Sequence, residues 1–179
     1  MSGDAESRDA ARESAHDSIQ DSTIRGVLEA SGLPYEIMPC DPALADTVVF
    51  CERYGIPLGK SVNTILVKAK TGGVHFAACV LLANTRLDVN KVVRKRLGAR
   101  RVSFASADET REITGMEIGG VTPVGLPADL PLWVDRRVME PDFVILGGGN
   151  RHSKIKIAPD VFSMIPNCTV IEGLARDAE

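Results

Sequence analysis

The chain has 179 residues, 44% hydrophobic and 4% aromatic, with 21 basic and 24 acidic side chains and a net charge of −3. That length suits one domain with a sizeable core. No apolar run approaches the length of a membrane span, and the N-terminus lacks a signal-peptide core, so the expected compartment is the cytoplasm.

Charge is unevenly spread. Residues 1–22 hold six acidic and two basic side chains, and residues 172–179 hold three and one, which leaves 18 basic and 15 acidic between them. Such a mildly basic body is compatible with an anionic partner without demanding one. Residues 1–17 contain no large apolar residue after Met1 and are expected to form a disordered acidic tail. Residues 18–174 are expected to form a single domain and 175–179 a short C-terminal tail.

From Ser18 the pattern is helical, with Ile19, Thr23, Val27 and Leu28 on one face and Ser31-Gly32 closing it before Pro34. Tyr35–Met38 alternates like a short strand. Asp41-Pro42 pairs an N-cap with proline at the first helical position, predicting a helix through about Arg53 with Leu44, Val48, Val49 and Cys51 inward. Residues 62–69 and 74–82 read as two apolar strands joined at Thr71-Gly72-Gly73, at the centre of the sheet. Asp88 caps a predicted helix over 89–97 that turns Val89, Val92, Val93 and Leu97 inward and Lys91, Arg94, Lys95 and Arg96 outward.

Arg101–Ala105 is a predicted strand, and Ser106-Ala107-Asp108-Glu109 is a capping box opening a helix to Thr114. The loop Gly119–Pro127 follows, with three glycines and two prolines in nine uncharged residues. Pro131–Val134, Asp142–Leu146, Lys154–Ile157 and Thr169–Ile171 are predicted strands, with a short helix opening at Ala158-Pro159-Asp160. Strands and helices mix without a strict βαβ repeat. The expected class is therefore mixed α/β, with peripheral helices on a partly antiparallel sheet.

Candidate chemistry is sparse. The cysteines Cys40, Cys51, Cys79 and Cys168 form no CxxC pair, so neither a metal centre nor a disulfide framework is expected, and they read as buried small hydrophobes. His16 lies in the tail, and His75 in an apolar strand reads as structural or exposed. His152 adjoins Gly147-Gly148-Gly149 and is a candidate for lining a site. That triple glycine leads into a strand rather than a helix, which excludes a dinucleotide-binding turn. Lys91–Arg101 is either a solvated helix face or a phosphate track. The Gly119–Pro127 loop can present main-chain N–H groups to a polar ligand, or it is a tight connection between strands. Few aromatics are available for a base-stacking platform.

Taken in order, Val62–Lys68, Arg86-Leu87-Asp88 with Lys91, Leu97-Gly98-Ala99, Gly119–Pro127, Pro131–Asp135 and the Gly147–Gly149 hairpin with Ile155–Pro159 resemble the YbaK/prolyl-tRNA-synthetase-associated editing domain family, in its free-standing form. The resemblance runs from about Ser22 to Leu174. It implies a curved, partly antiparallel sheet and hydrolysis, without a cofactor or metal, of the ester of mischarged tRNA, typically alanine or cysteine on tRNA for proline. Gly119, Gly120, Val121, Thr122 and Pro123 would then stabilise the oxyanion. Thr64 and Asn63 would position the tRNA end, and Gly149 and His152 would help hold the substrate. Lys91, Arg94, Lys95 and Arg96 would meet tRNA phosphates, and prolyl-tRNA synthetase is a further candidate partner. Family members usually carry Lys where this chain has Asn63, which keeps hydrogen-bonding ability but no charge. Lys60 could supply that charge if its loop folds back, whereas Lys68 lies ~13 Å along the strand. The alternative is a non-catalytic module that binds aminoacyl-tRNA or an aminoacyl-nucleotide, turnover having gone with the family Lys.

Overall fold

Strands β2 (Val62–Ala69) and β3 (Phe76–Leu82) form the antiparallel pair that their apolar runs predict, in register from Val62 opposite Leu82 to Lys68 opposite Phe76. The computed structural model describes residues 22–72 and 75–178. The acidic segment 1–17, the start of the helix expected from Ser18, and Gly73 and Val74 lie outside the described residues.

Around this pair runs a five-stranded mixed sheet in the order β5 (Val102–Phe104), β2, β3, β6 (Leu132–Asp135) and β9 (Cys168–Ile171). The first three strands are antiparallel and the last three parallel. A second, antiparallel sheet has the order β1 (Tyr35–Pro39), β8 (Ser153–Ile157), β7 (Val144–Gly147). The chain beyond Leu174, expected as a tail, instead forms β10 (Ala175–Asp177), which pairs with β4 (Thr85–Leu87). It is anchored there by buried Asp135, which accepts the Ala175 N–H at 2.7 Å and pairs with Arg137.

Strand β3 is buried on both faces, as its nearly unbroken apolar run requires. On one face Ala78 and Val80 join Leu66, Leu132 and the helix α1 (residues 22–31) in the main core. On the other, Ala77, Cys79 and Leu81 pack with Val93, Trp133 and Leu174. Within α1 the buried residues are Ile24 and Leu28, one turn apart, whereas the predicted Thr23 is exposed. The helix expected over 89–97 is a π-helical turn, Val89–Val93, leading into α3 (Arg94–Arg96), with Asp88 capping the Lys91 N–H at 3.0 Å. Helix α4 (Ala107–Thr114) has the predicted capping box and ends at Gly115 with φ +69°.

The helix expected from Asp41 through Arg53 is interrupted. Asp41 caps a 3-10 turn, Pro42–Leu44, the chain breaks at Ala45 and at extended Asp46, and α2 (Thr47–Tyr54) starts afresh. The break rotates α2 so that Phe50 and Cys51 are buried, while Val48 and Val49, expected inward, are exposed. Phe50 packs with Ala45 and Ile145 in a third apolar cluster, on the side of the second sheet away from the main core.

Pairing along β2 is incomplete, and this positions the site. β5 covers only Val67–Ala69, and β7 meets the other end through a parallel bridge between Ser61 and Ile145. Between them the outer edge of β2 has no neighbouring strand. The Ser61 C=O and Ala69 N–H bond toward β3, and the Leu66 C=O accepts from Ala105 on the β5 side. Alternation along the strand therefore turns the N–H and C=O of Thr64 to the open edge.

Candidate active site

That open edge is the floor of a cavity of about 380 Å³. One wall is the start of α2, with Asp46 and Thr47; the other is the loop at Ile118, Gly119 and Val121, backed by Gly147 and Lys154. Phe104, 56% exposed, and Ile118, 51% exposed, stand at its rim.

Glycine makes the loop wall possible. A β-carbon on Gly120 would lie 2.0 Å from the Asn150 carbonyl oxygen, and one on Gly147 would lie 2.4 Å from that of Val121. The two glycine loops therefore touch backbone to backbone, and the Gly149 N–H donates to the Gly120 C=O at 2.7 Å. Gly149 itself has φ +88° and faces Ile24 of α1, so it supports the wall from behind. Gly120 donates to the Glu117 C=O at 2.9 Å, and the Thr122 N–H points to the Met116 sulfur. The N–H groups of Gly119 and Val121 donate to no partner among the described residues. These two, rather than the whole Gly119–Pro123 run, are the available main-chain donors; Gly120, Thr122 and Pro123 are buried beneath them.

Asn63 and Thr64 both line the cavity. Asn63 Oδ1 accepts the Thr47 hydroxyl at 2.6 Å, which ties β2 to α2 and leaves the Asn63 amide N–H groups to turn elsewhere. Thr64 Oγ1 is buried and has no hydrogen-bond partner among the described residues. Lys60 does not fold back to the site: its ammonium pairs with Asp142 at 2.5 Å and lies over the Phe143 ring. Lys68 is held by Glu109 of α4. His152 sits exposed in the β7–β8 turn, its main chain bonded to Cys40 and to Asn150, and its ring lies outside the cavity lining.

Lys154 is a site residue that the sequence did not single out, as are Asp46, Thr47, Phe104 and Ile118. Along β8 alternation sends Ile155 and Ile157 into the main core and Lys154 and Lys156 to the other face. Lys156 ends over Phe143, but Lys154 is covered by α2 and the 42–46 turn and is only 5% exposed. Its ammonium donates to the Ala45 C=O at 2.8 Å and the Gly119 C=O at 3.0 Å, and lies 5.3 Å from the Phe50 ring centre. Burial pushes its pKa below the ordinary lysine value. Arg151 binds the same two segments from outside, donating to the Pro42 and Ile118 carbonyls and pairing with Asp46 at 3.2 Å. The sequence held one weak signal for Lys154: a lysine at the start of a predicted strand a few residues after a glycine turn.

The cysteines are poor nucleophiles. Burial raises all four thiols, Cys79 to about 12 and Cys168 to about 11. The basic run divides in two. Lys91, Arg94 and Lys95 border a shallow depression with Arg100, while Arg96 turns away to stack over Trp133 at 5.7 Å. From Arg100 the chain enters strand β5 at Val102 and reaches Phe104 at the cavity rim four residues on, a span of at most ~13 Å.

Comparison with known proteins gives a consistent picture. The family model described as an aminoacyl-tRNA editing domain matches residues 41–163. A curated relative, EbsC of Enterococcus faecalis, named as a candidate Cys-tRNA(Pro)/Cys-tRNA(Cys) deacylase, is 27% identical over 117 residues, 65% of this chain and 69% of that protein. A crystal structure of a candidate trans-editing enzyme for prolyl-tRNA synthetase superposes with a TM-score of 0.72 at 21% identity, covering 89% of this chain and 98% of that one. The hypothetical protein APE2540 superposes with a TM-score of 0.74 at 26% identity, covering 86% and 99%. The mixed α/β fold is thus shared with editing-domain structures.

Proposed function

The chain belongs to the aminoacyl-tRNA editing domain family, and on that premise we propose that it hydrolyses mischarged tRNA in trans, with a small amino acid such as cysteine or alanine on tRNA for proline as substrate. The observation that carries this reading is the meeting, in one cavity, of the open Thr64 edge with the unengaged N–H groups of Gly119 and Val121. The names of EbsC and of the trans-editing enzyme support hydrolysis over binding alone.

An aminoacyl ester is already activated, so the site has to hold it, admit water and stabilise negative charge. Water oxygen adds to the ester carbonyl carbon, and the carbonyl oxygen becomes an oxyanion facing the Gly119 and Val121 N–H groups. Collapse breaks the bond to the ribose oxygen, which takes one proton of the water. The amino acid leaves as a carboxylate and the second proton passes to solvent. Asp46 and Lys154 are the ionisable side chains of the cavity wall, and Asp46, paired with Arg151 through Oδ1, has its other carboxylate oxygen to receive an α-ammonium. The volume lies near the small end of ligand pockets, about 300–1,000 Å³, which favours a small side chain.

The tRNA backbone would run from Lys91, Arg94, Lys95 and Arg100 along β5 to the cavity, its terminal base reaching Phe104 and Ile118 at the rim. Prolyl-tRNA synthetase, the source of such errors, is the partner this role predicts. The test is deacylation of tRNA(Pro) charged with cysteine, alanine or proline. Turnover of a small mischarged amino acid with proline spared is expected; binding of these tRNAs without turnover of any ester would overturn the reading.

A further inference from the structure

We infer that Lys154 is a catalytic residue whose ammonium supplies the positive charge of the active site from β8, donating its third N–H to the carbonyl oxygen of the scissile ester. The inference rests on the deacylase reading of the cavity and adds to it a charged group beside the main-chain donors.

An ammonium has three donors. Two are spent on the Ala45 and Gly119 carbonyls, and the side chain lines the cavity, so the third is available to a ligand there. Lys154 forms no salt bridge with a carboxylate among the described residues; the nearby Asp46 is paired with Arg151 instead. A buried cation held by neutral carbonyls keeps an uncompensated charge, and in a low-dielectric wall that charge acts strongly on a developing anion. The other lysines cannot serve. Lys60 and Lys68 are committed to Asp142 and Glu109, and Asn63 at the head of β2 is uncharged.

The Gly119 carbonyl that accepts from Lys154 belongs to the peptide bond whose N–H is on Gly120, so the ammonium sits within one residue of the proposed oxyanion donors on either side. The charge and the main-chain N–H groups thereby belong to the same wall of the cavity, from which both can reach a bound ester carbonyl. The bond changes remain those of ester hydrolysis, and Lys154 keeps its proton throughout as a hydrogen-bond donor.

Lys154 could instead only fasten the 42–46 turn to the glycine loop, as Arg151 does from outside, and the test separates the two roles. Lys154→Ala and Arg151→Gln are compared by kcat and KM on cysteinyl- and alanyl-tRNA(Pro), with and without methylammonium. The expected result for Lys154→Ala is a fall in kcat of about 10²–10³ with little change in KM, partly restored by the added amine. Arg151→Gln should lose stability but respond to no amine. A Lys154→Ala rate within about threefold of wild type, or a loss that the amine leaves untouched, overturns the inference. A readout on the wild-type protein guards against a variant that does not fold. With ¹⁵N-labelled lysine, the buried ammonium signal should shift when a 3′-amide-linked alanyl adenosine is added, and an unmoved signal also overturns it. If the wild type hydrolyses no ester yet that signal shifts, the deacylase reading fails while Lys154 stands as a ligand-binding group.

Discussion

Gly120→Ala is the sharpest test of the glycine wall. The new methyl would lie 2.0 Å from the Asn150 carbonyl oxygen and 2.3 Å from its carbon, against the ~3.5 Å of an unstrained carbon contact. Both obstructing atoms are backbone, so no side chain can swing aside, and the two loops must part by about 1 Å or more. That overpacking costs roughly 1–3 kcal/mol. Parting the loops also stretches the 2.7 Å bond from the Gly149 N–H to the Gly120 C=O, worth about 0.5–1.5 kcal/mol. The expected loss is therefore roughly 2–4 kcal/mol, a fall in Tm on the order of 10 °C for a chain of this size. The neighbouring Val121 N–H moves with the loop, and a displacement of that size at a reacting centre costs about 10² in rate. Thermal unfolding gives the first number. Single-turnover deacylation, well below the variant's Tm, gives the second. A Gly120→Ala protein with wild-type Tm and rate would refute the backbone contact and the oxyanion role together.

Gly26 is the opposite case. It lies inside α1 with nothing within 4 Å of a β-carbon, so Gly26→Ala should raise stability by about 0.5–1 kcal/mol in urea unfolding and leave the rate unchanged. Phe104→Ala should weaken binding of charged tRNA about 5- to 150-fold if the rim ring stacks on the terminal base, whereas unchanged affinity would return Phe104 to the solvated edge of β5. Glu109 is held below its ordinary pKa of 4.5, first by the Lys68 ammonium and then by the Ser106 N–H. A carboxyl lowered on folding contributes stability that is present above the ordinary value and is lost as pH falls through the lowered one. Glu109→Gln should therefore flatten the acid side of a plot of urea midpoint against pH below about 4.5, and an unchanged slope would remove Glu109 from the acid response.

Several elements were legible because their causes lie within a few residues of one another. The capping box needs only Ser106 and Glu109, three apart, and both of its hydrogen bonds form. The β2–β3 pair follows from two apolar runs and a turn, and the strongly basic segment at 91–101 is visible as composition. Local pattern also pointed to Gly119–Pro123 as a backbone device. It could not say which amides remain free, because that depends on Glu117, Met116 and the second glycine loop.

What the sequence could not decide was burial by distant segments. Strand β8 reads Ser-Lys-Ile-Lys-Ile, a half-solvated strand, and nothing local separates Lys154 from Lys156. Lys154 is buried only because a turn 109 residues earlier breaks at Ala45 and offers its carbonyl, and α2 then lays Phe50 over the side chain. The same break exposes Val48 and Val49 and brings Thr47 to Asn63. Propensity, capping and turn chemistry are short-range and were carried by the sequence alone. The charge of the cavity, its volume and its free donors arise where four separate segments pack, and tertiary structure alone fixed them.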